Sequence, residues 1–111
     1  MKPMLRLMRD SSYFELTLQA CDMHTDLRFG QTVDEIGDEF PVHALVIPSD
    51  DRPIQLGYIA SGVASLLREK QPDLLLLYGD RGESLAAAMV ATEMCIPIAH
   101  LQGGDTTGTM D

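Results

Sequence analysis

The sequence predicts an α/β protein with a doubly wound parallel sheet. Asp73-Leu74-Leu75-Leu76-Leu77-Tyr78-Gly79 holds an apolar run too short for a helix and closed by glycine, which reads as a strand buried on both faces. A charged turn, Asp80-Arg81-Gly82-Glu83, and an alanine-rich helical segment from Ser84 to about Met94 follow at once. Short β-rich runs and helical segments alternate along the rest of the chain, the pattern of crossovers between parallel strands.

In chain order, residues 3–9 place Met4, Leu7 and Met8 on one side of about two helical turns. Tyr13 to Ala20 alternates through Phe14, Leu16, Leu18 and Ala20, the period of a strand. Cys21 to Asp26 is the loop after it, and Thr32-x-x-Glu35 has capping-box spacing, opening a short helix through Val33 and Ile36. Val42 to Ile47 is a second β-rich run, stopped by Pro48-Ser49-Asp50-Asp51. A helix from Pro53 to about Lys70 follows, with Asp51 or Arg52 as N-cap and proline in the first turn. Its buried stripe is Ile59, Val63, Leu66 and Leu67. Ile96 to Leu101 is the last strand, and Gln102 to Thr109 is a glycine-rich loop. A doubly wound domain starts with a strand at the centre of its sheet, so a sheet lacking its first strand is expected, its two neighbours with unpaired edges.

The chain of 111 residues suits one domain, and 45% apolar with 23% charged residues is a globular composition. A net charge of −9 without a basic stripe argues against nucleic acid or an anionic membrane surface. Nucleotide remains open as a ligand, because backbone amides at a helix N-terminus hold phosphate locally. Charges interrupt the apolar residues at the N-terminus, and no run approaches a membrane span. Cys21 and Cys95 lie far apart without metal-ligand spacing and read as buried thiols in a reducing compartment, hence a cytoplasmic protein.

In open α/β sheets, ligands bind outside the carboxyl ends of the strands. Asp80 stands at such an end; it either caps the following helix with Glu83 as a capping box, or presents a carboxylate to the crevice. Asp105 trails the next strand among glycines that let backbone approach a ligand. Two carboxylates at adjacent strand ends can divide into acid and base, one pKa raised by the other. Arg81 either clamps an anion or pairs with Glu83. His24 follows a strand on the crevice side or is a surface residue; His100 points into the core or the site; His43, at a strand start, has no role. Dinucleotide, P-loop and zinc spacings are missing, so no cofactor and no metal are expected.

Gly79-Asp80-Arg81-x-Glu83, followed by Ile96-Pro97-Ile98-Ala99-His100-Leu101-x-Gly103-Gly104-Asp105-x-Thr107-Gly108-x-Met110-Asp111, resembles the UDP-N-acetylglucosamine 2-epimerase family, and its hydrolysing branch most closely. Met23-His24-x-x-x-x-Phe29-Gly30-x-Thr32-Val33-x-Glu35-Ile36 is similar to that branch's loop and helix after the second strand. Asp22 departs from the glycine usual before Met-His.

The resemblance implies a two-domain GT-B enzyme with UDP-sugar bound between Rossmann-like halves. Residues 1–111 would be a partial N-terminal half, the first strand and the C-terminal UDP-binding domain absent and the isolated chain inactive. It implies release of UDP by elimination and addition of water to the glycal, giving N-acetylmannosamine or a related sugar for sialic-acid-type pathways. Asp80 and Asp105 match acidic positions of the family's active site, His24 a histidine of its substrate-side loop, and Arg81 belongs to the same motif. A homo-oligomer is implied for the full-length enzyme. The alternatives are a non-hydrolysing 2-epimerase, which returns UDP-N-acetylmannosamine, and a truncated inactive remnant.

Overall fold

The computed structural model describes residues 1–21, 36–104 and 108. The chain divides into two compact units, Met1–Leu45 and Val46–Asp111. Predicted features on other residues, including the capping box at Thr32 and Glu35, lie outside the described residues.

The first unit holds helix α1 (Lys2–Arg9) and parallel strands β1 (Leu18–Cys21) and β2 (Val42–Leu45), paired in register from Leu18 with Val42 to Cys21 with Leu45. Its core is Leu5, Ala20 and Phe40. The face of α1 agrees with the spacing read in sequence at Met4 and Met8, both half-buried, and departs from it at Leu7, which is 75% exposed while Leu5 is buried. Two arginines one turn apart set that rotation. Arg6 donates two hydrogen bonds to the Glu39 carboxylate, from Nε to Oε1 and from Nη2 to Oε2. The Arg9 guanidinium lies 5.3 Å above the centroid of the buried Phe40 ring, a favourable cation–π distance.

Strand β1 is also shorter than its alternation predicts. Tyr13 is 92% exposed and stands outside the sheet, because β2 offers only four residues to pair with. Alternation reports which residues favour an extended chain; only a partner makes a ladder.

The second unit contains helix α2 (Arg52–Lys70), strand β3 (Leu75–Tyr78), helix α3 (Gly82–Glu93) and strand β4 (Ile98–Leu101). Strands β3 and β4 run parallel, Leu75 opposite Ile98 and Tyr78 opposite Leu101. The Leu75 N–H donates to Pro97 O at 2.9 Å and the Gly79 N–H to Leu101 O at 2.9 Å, carrying the ladder past both ends. Helix α2 starts as its sequence predicts, with Asp51 at the N-cap and Pro53 in the first turn, although no side chain caps it. It ends on Gln71 in the left-handed conformation, whose N–H returns to Leu67 O.

Helix α3 packs on α2 and on both strands. Its buried residues are Ala86, Ala87 and Ala91, small enough for close approach; those of α2 are Ile59, Val63 and Leu67, with Leu66 half-buried. Of β3 only Leu77 is fully buried, and Tyr78 is 44% exposed. The expectation of burial on both faces therefore fails: among the described strands β3 pairs with β4 alone, and α3 supplies the cover.

The cysteines are not the buried thiols expected. Cys21 is half-buried, while Cys95 is exposed in the turn after α3, with a left-handed backbone at φ +56°. No helix among the described residues is long and apolar enough to cross a membrane.

Two outcomes follow for stability. Ile59, 1% exposed, loses about 2–5 kcal/mol of stability on substitution by alanine, measured by chemical unfolding. The hydrogen bond from Arg6 holds the Glu39 carboxyl below its ordinary value, against a smaller opposing effect of desolvation. A lowered folded-state pKa stabilises above the unfolded carboxylate value and ceases to do so as pH falls through the folded one. Glu39→Gln should therefore lower the melting temperature slightly at neutral pH, and the gap to the parent should close in acid.

Candidate functional site

The carboxyl ends of β3 and β4 are joined by one glycine. Gly79 leaves β3 with φ +84°, a left-handed conformation that costs glycine little and other residues more. Its N–H is held by Leu101 O, and its carbonyl faces the Nε2 of His100 at 2.5 Å. A carbonyl only accepts, so His100 donates and carries its proton on Nε2. His100 is opposite Leu77 in the ladder, two residues before Gly79, which puts its ring within reach of the turn. Gly103 lies against that ring: a Cβ there would stand 2.1 Å from Cε1 and 2.6 Å from Nε2. Only glycine leaves the imidazole its place.

Asp80 comes next, half-buried, with no hydrogen bond or ion pair to any described residue. The capping-box alternative does not hold. Helix α3 begins at Gly82 with Arg81 at the N-cap, and no side chain caps it. Glu83 is drawn elsewhere: its Oε2 accepts from Arg52 Nη2 at 3.1 Å, across from the first residue of α2. A charge-assisted bond to guanidinium outcompetes a reach back to a backbone amide. Arg81 Nε stands 4.0 Å from the same oxygen, so the pairing with Glu83 left open by the sequence is present.

The arrangement thus holds a half-buried carboxylate beside two guanidiniums that share one acidic partner. Two guanidiniums, Arg52 and Arg81, and two carboxylates, Glu83 and Asp80, meet at the start of α3, where unbonded helix N–H groups favour anions. Such a corner can exchange a proton through Asp80 and lower the energy of negative charge nearby. Among the described residues, no group of three or more His, Cys, Asp or Glu is placed to hold a metal.

Of the residues proposed from sequence, the structure places Asp80 and Arg81 side by side on the turn after β3, and the chain after β4 is described as far as Gly104; His24 and Asp105 lie outside the described residues. His43 is an exposed member of β2. Arg52 was legible only as a helix-start residue. The signal for more was its place just after a strand-ending Pro48-Ser49-Asp50-Asp51, since helices that follow parallel strands begin at one end of the sheet. An open groove of about 380 Å³, lined by Leu67, Arg68, Gln71, Pro72, Met94 and Ile96, lies where α2 and α3 finish, at the end away from Asp80.

The family model described as UDP-N-acetylglucosamine 2-epimerase matches residues 6–111. The chain is 36% identical over 119 aligned positions to the UDP-N,N'-diacetylbacillosamine 2-epimerase (hydrolyzing) of Legionella pneumophila, covering 100% of this chain and 31% of that protein. It is 30% identical over 115 positions to the UDP-N-acetylglucosamine 2-epimerase of Neisseria meningitidis serogroup B, covering 100% of this chain and 30% of that protein. It therefore spans about three tenths of the length of these relatives. The crystal structure of UDP-GlcNAc 2-epimerase from Neisseria meningitidis bound to UDP-GlcNAc superposes with a TM-score of 0.78 at 20% identity, over 95% of this chain and 29% of that one. That likeness establishes the fold: an α/β, Rossmann-like N-terminal portion of a GT-B architecture.

The ion pair between helix starts is directly measurable. A double-mutant cycle on Arg52→Ala and Glu83→Ala should give a coupling of about 0.5–1.5 kcal/mol in chemical unfolding; additive single effects would mean that the pair contributes nothing in solution.

Proposed function

Because this chain belongs to the UDP-N-acetylglucosamine 2-epimerase family, we propose that the polypeptide carrying it is a hydrolysing 2-epimerase of UDP-linked 2-acetamido sugars. The substrate is UDP-N-acetylglucosamine or a diacetamido analogue of the kind named for the Legionella relative. The products are UDP and the free sugar inverted at C2, a sugar of the sialic-acid-precursor type made in the cytoplasm.

The observation that carries this reading is Asp80: a half-buried carboxylate without a partner among the described residues, on a turn fastened to the strand that leads to Asp105. The C2 hydrogen of the sugar is barely acidic, so elimination passes through a state with positive charge at the anomeric carbon. A carboxylate close by stabilises that charge and accepts the C2 proton, while the C1–O bond breaks and its electron pair leaves with UDP. In the second half, water adds its hydroxyl to C1 of the glycal and a proton returns to C2 from the opposite face. Asp80 and Asp105 share the proton traffic. Arg81 acts on the substrate side, where its guanidinium and the N-terminus of α3 favour the anionic group, and His24 contacts the sugar. Hydrolysis rather than return of UDP-sugar is favoured by the name of the Legionella relative, which specifies it.

The test is an assay of the complete polypeptide that contains residues 1–111, with UDP-N-acetylglucosamine and with its diacetamido analogue. Free UDP and a C2-inverted free sugar are expected in equal amounts. A product still attached to UDP would replace the hydrolysing reading with the non-hydrolysing one. Asp80→Asn and Asp105→Asn should each reduce turnover by about 10²-fold or more; near-normal turnover in either variant removes that residue from proton transfer.

A further inference from the structure

We propose that His100 is a positioning residue that fixes the bearing of Asp80 by fastening the turn before it, and that Gly103 is held to glycine so that the imidazole keeps this place. The proposal rests on the acid–base role given above to Asp80. Gly79 leaves β3 with φ +84°, and among the described residues no backbone N–H donates to its carbonyl. The His100 ring supplies one, Nε2 to Gly79 O at 2.5 Å, while Leu101 O holds the Gly79 N–H at 2.9 Å. Gly79 is thus pinned at both of its backbone polar groups, the N–H and the C=O, by two consecutive residues of the neighbouring strand, and Asp80 is the next residue along. The same ring lies over Gly103, two residues before Asp105, where a side chain's Cβ would come 2.1 Å from Cε1. His100 therefore stands between the turn that bears one carboxylate and the loop that leads to the other. Among the described residues it makes no contact that assigns it a proton-transfer step; it acts through Asp80.

Three variants separate this from a merely structural part. His100→Gln keeps an N–H able to reach the Gly79 carbonyl, His100→Phe keeps the ring without the donor, and Gly103→Ala removes the ring's room while leaving the histidine. Amide hydrogen exchange on the chain and steady-state kinetics of the complete polypeptide with UDP-N-acetylglucosamine are the two readouts. In His100→Phe and Gly103→Ala, the Gly79 amide should exchange about 10-fold faster, while the Leu75 amide, at the other end of the same ladder, keeps its rate. The kcat should fall about 10- to 10²-fold with KM nearly unchanged, the signature of a misdirected reacting group. His100→Gln should restore both. Unchanged Gly79 exchange in both disrupting variants overturns the proposal; so does faster exchange with undiminished kcat, or a His100→Gln as impaired as His100→Phe. A parent polypeptide that processes neither UDP-sugar refutes the epimerase reading instead, and the exchange data still decide whether His100 pins the turn.

Discussion

Both polar groups of Gly79 are answered by β4: the N–H by the Leu101 carbonyl, the carbonyl by the His100 imidazole. Much of the second unit follows from that attachment. It sets where β3 stops, so it sets the direction in which Asp80 and Arg81 leave the sheet. With Arg81 as N-cap, α3 then starts at Gly82, and Glu83 in its first turn meets Arg52 of α2. A shift of one residue in this turn would rotate Glu83 by about 100° around the helix axis and break that meeting. The alanine face of α3 is compatible with this rigidity. Small side chains let the helix approach α2 and the strands closely, leaving little freedom to slide.

How much could be read before the coordinates depended on whether a feature is local. The β3–α3–β4 unit is written in a closed apolar run, a helical stretch without breakers and a second short strand, and those elements occur within about two residues of the expected bounds. Features set by distant partners were misread. The Asp80-x-x-Glu83 spacing is a fair local argument for a capping box, but spacing cannot register a guanidinium arriving from 31 residues away in sequence. The apolar residues of α1 fit a stripe through Leu7, yet Arg6 and Arg9 turn Leu5 inward by engaging Glu39 and Phe40. Tyr13 and Phe14 have strand propensity without a strand to join. At the candidate site, Asp80 and Arg81 were legible because a strand end is a place the sequence marks. The use of His100 was not, since it depends on which residue of β4 faces Leu77 across the ladder.

Charge distribution carries the same lesson of scale. A chain with a net charge of −9 repels anions at long range, though salt limits that field to about a Debye length of 10 Å. Within that radius the balance is local, and near the start of α3 the Arg52 and Arg81 guanidiniums stand beside the Glu83 carboxylate, with Asp80 on the turn before them. A UDP-sugar carries its negative charge on the diphosphate, whereas its reacting carbon becomes positive in the elimination. A corner offering cationic groups and a separate carboxylate would suit the substrate of the proposed reaction.

The turn that closes α3 also has an experimental use. Cys95 is exposed there with a left-handed backbone, and α3, from Gly82 to Glu93, is 12 residues or about 18 Å long. A fluorophore or spin label coupled to that thiol would sit a full helix length from Asp80, far enough not to obstruct the crevice. Cys21, half-buried in β1, would couple more slowly. The molecule thus offers a native attachment point from which ligand-linked movement of α3 can be followed without adding a cysteine.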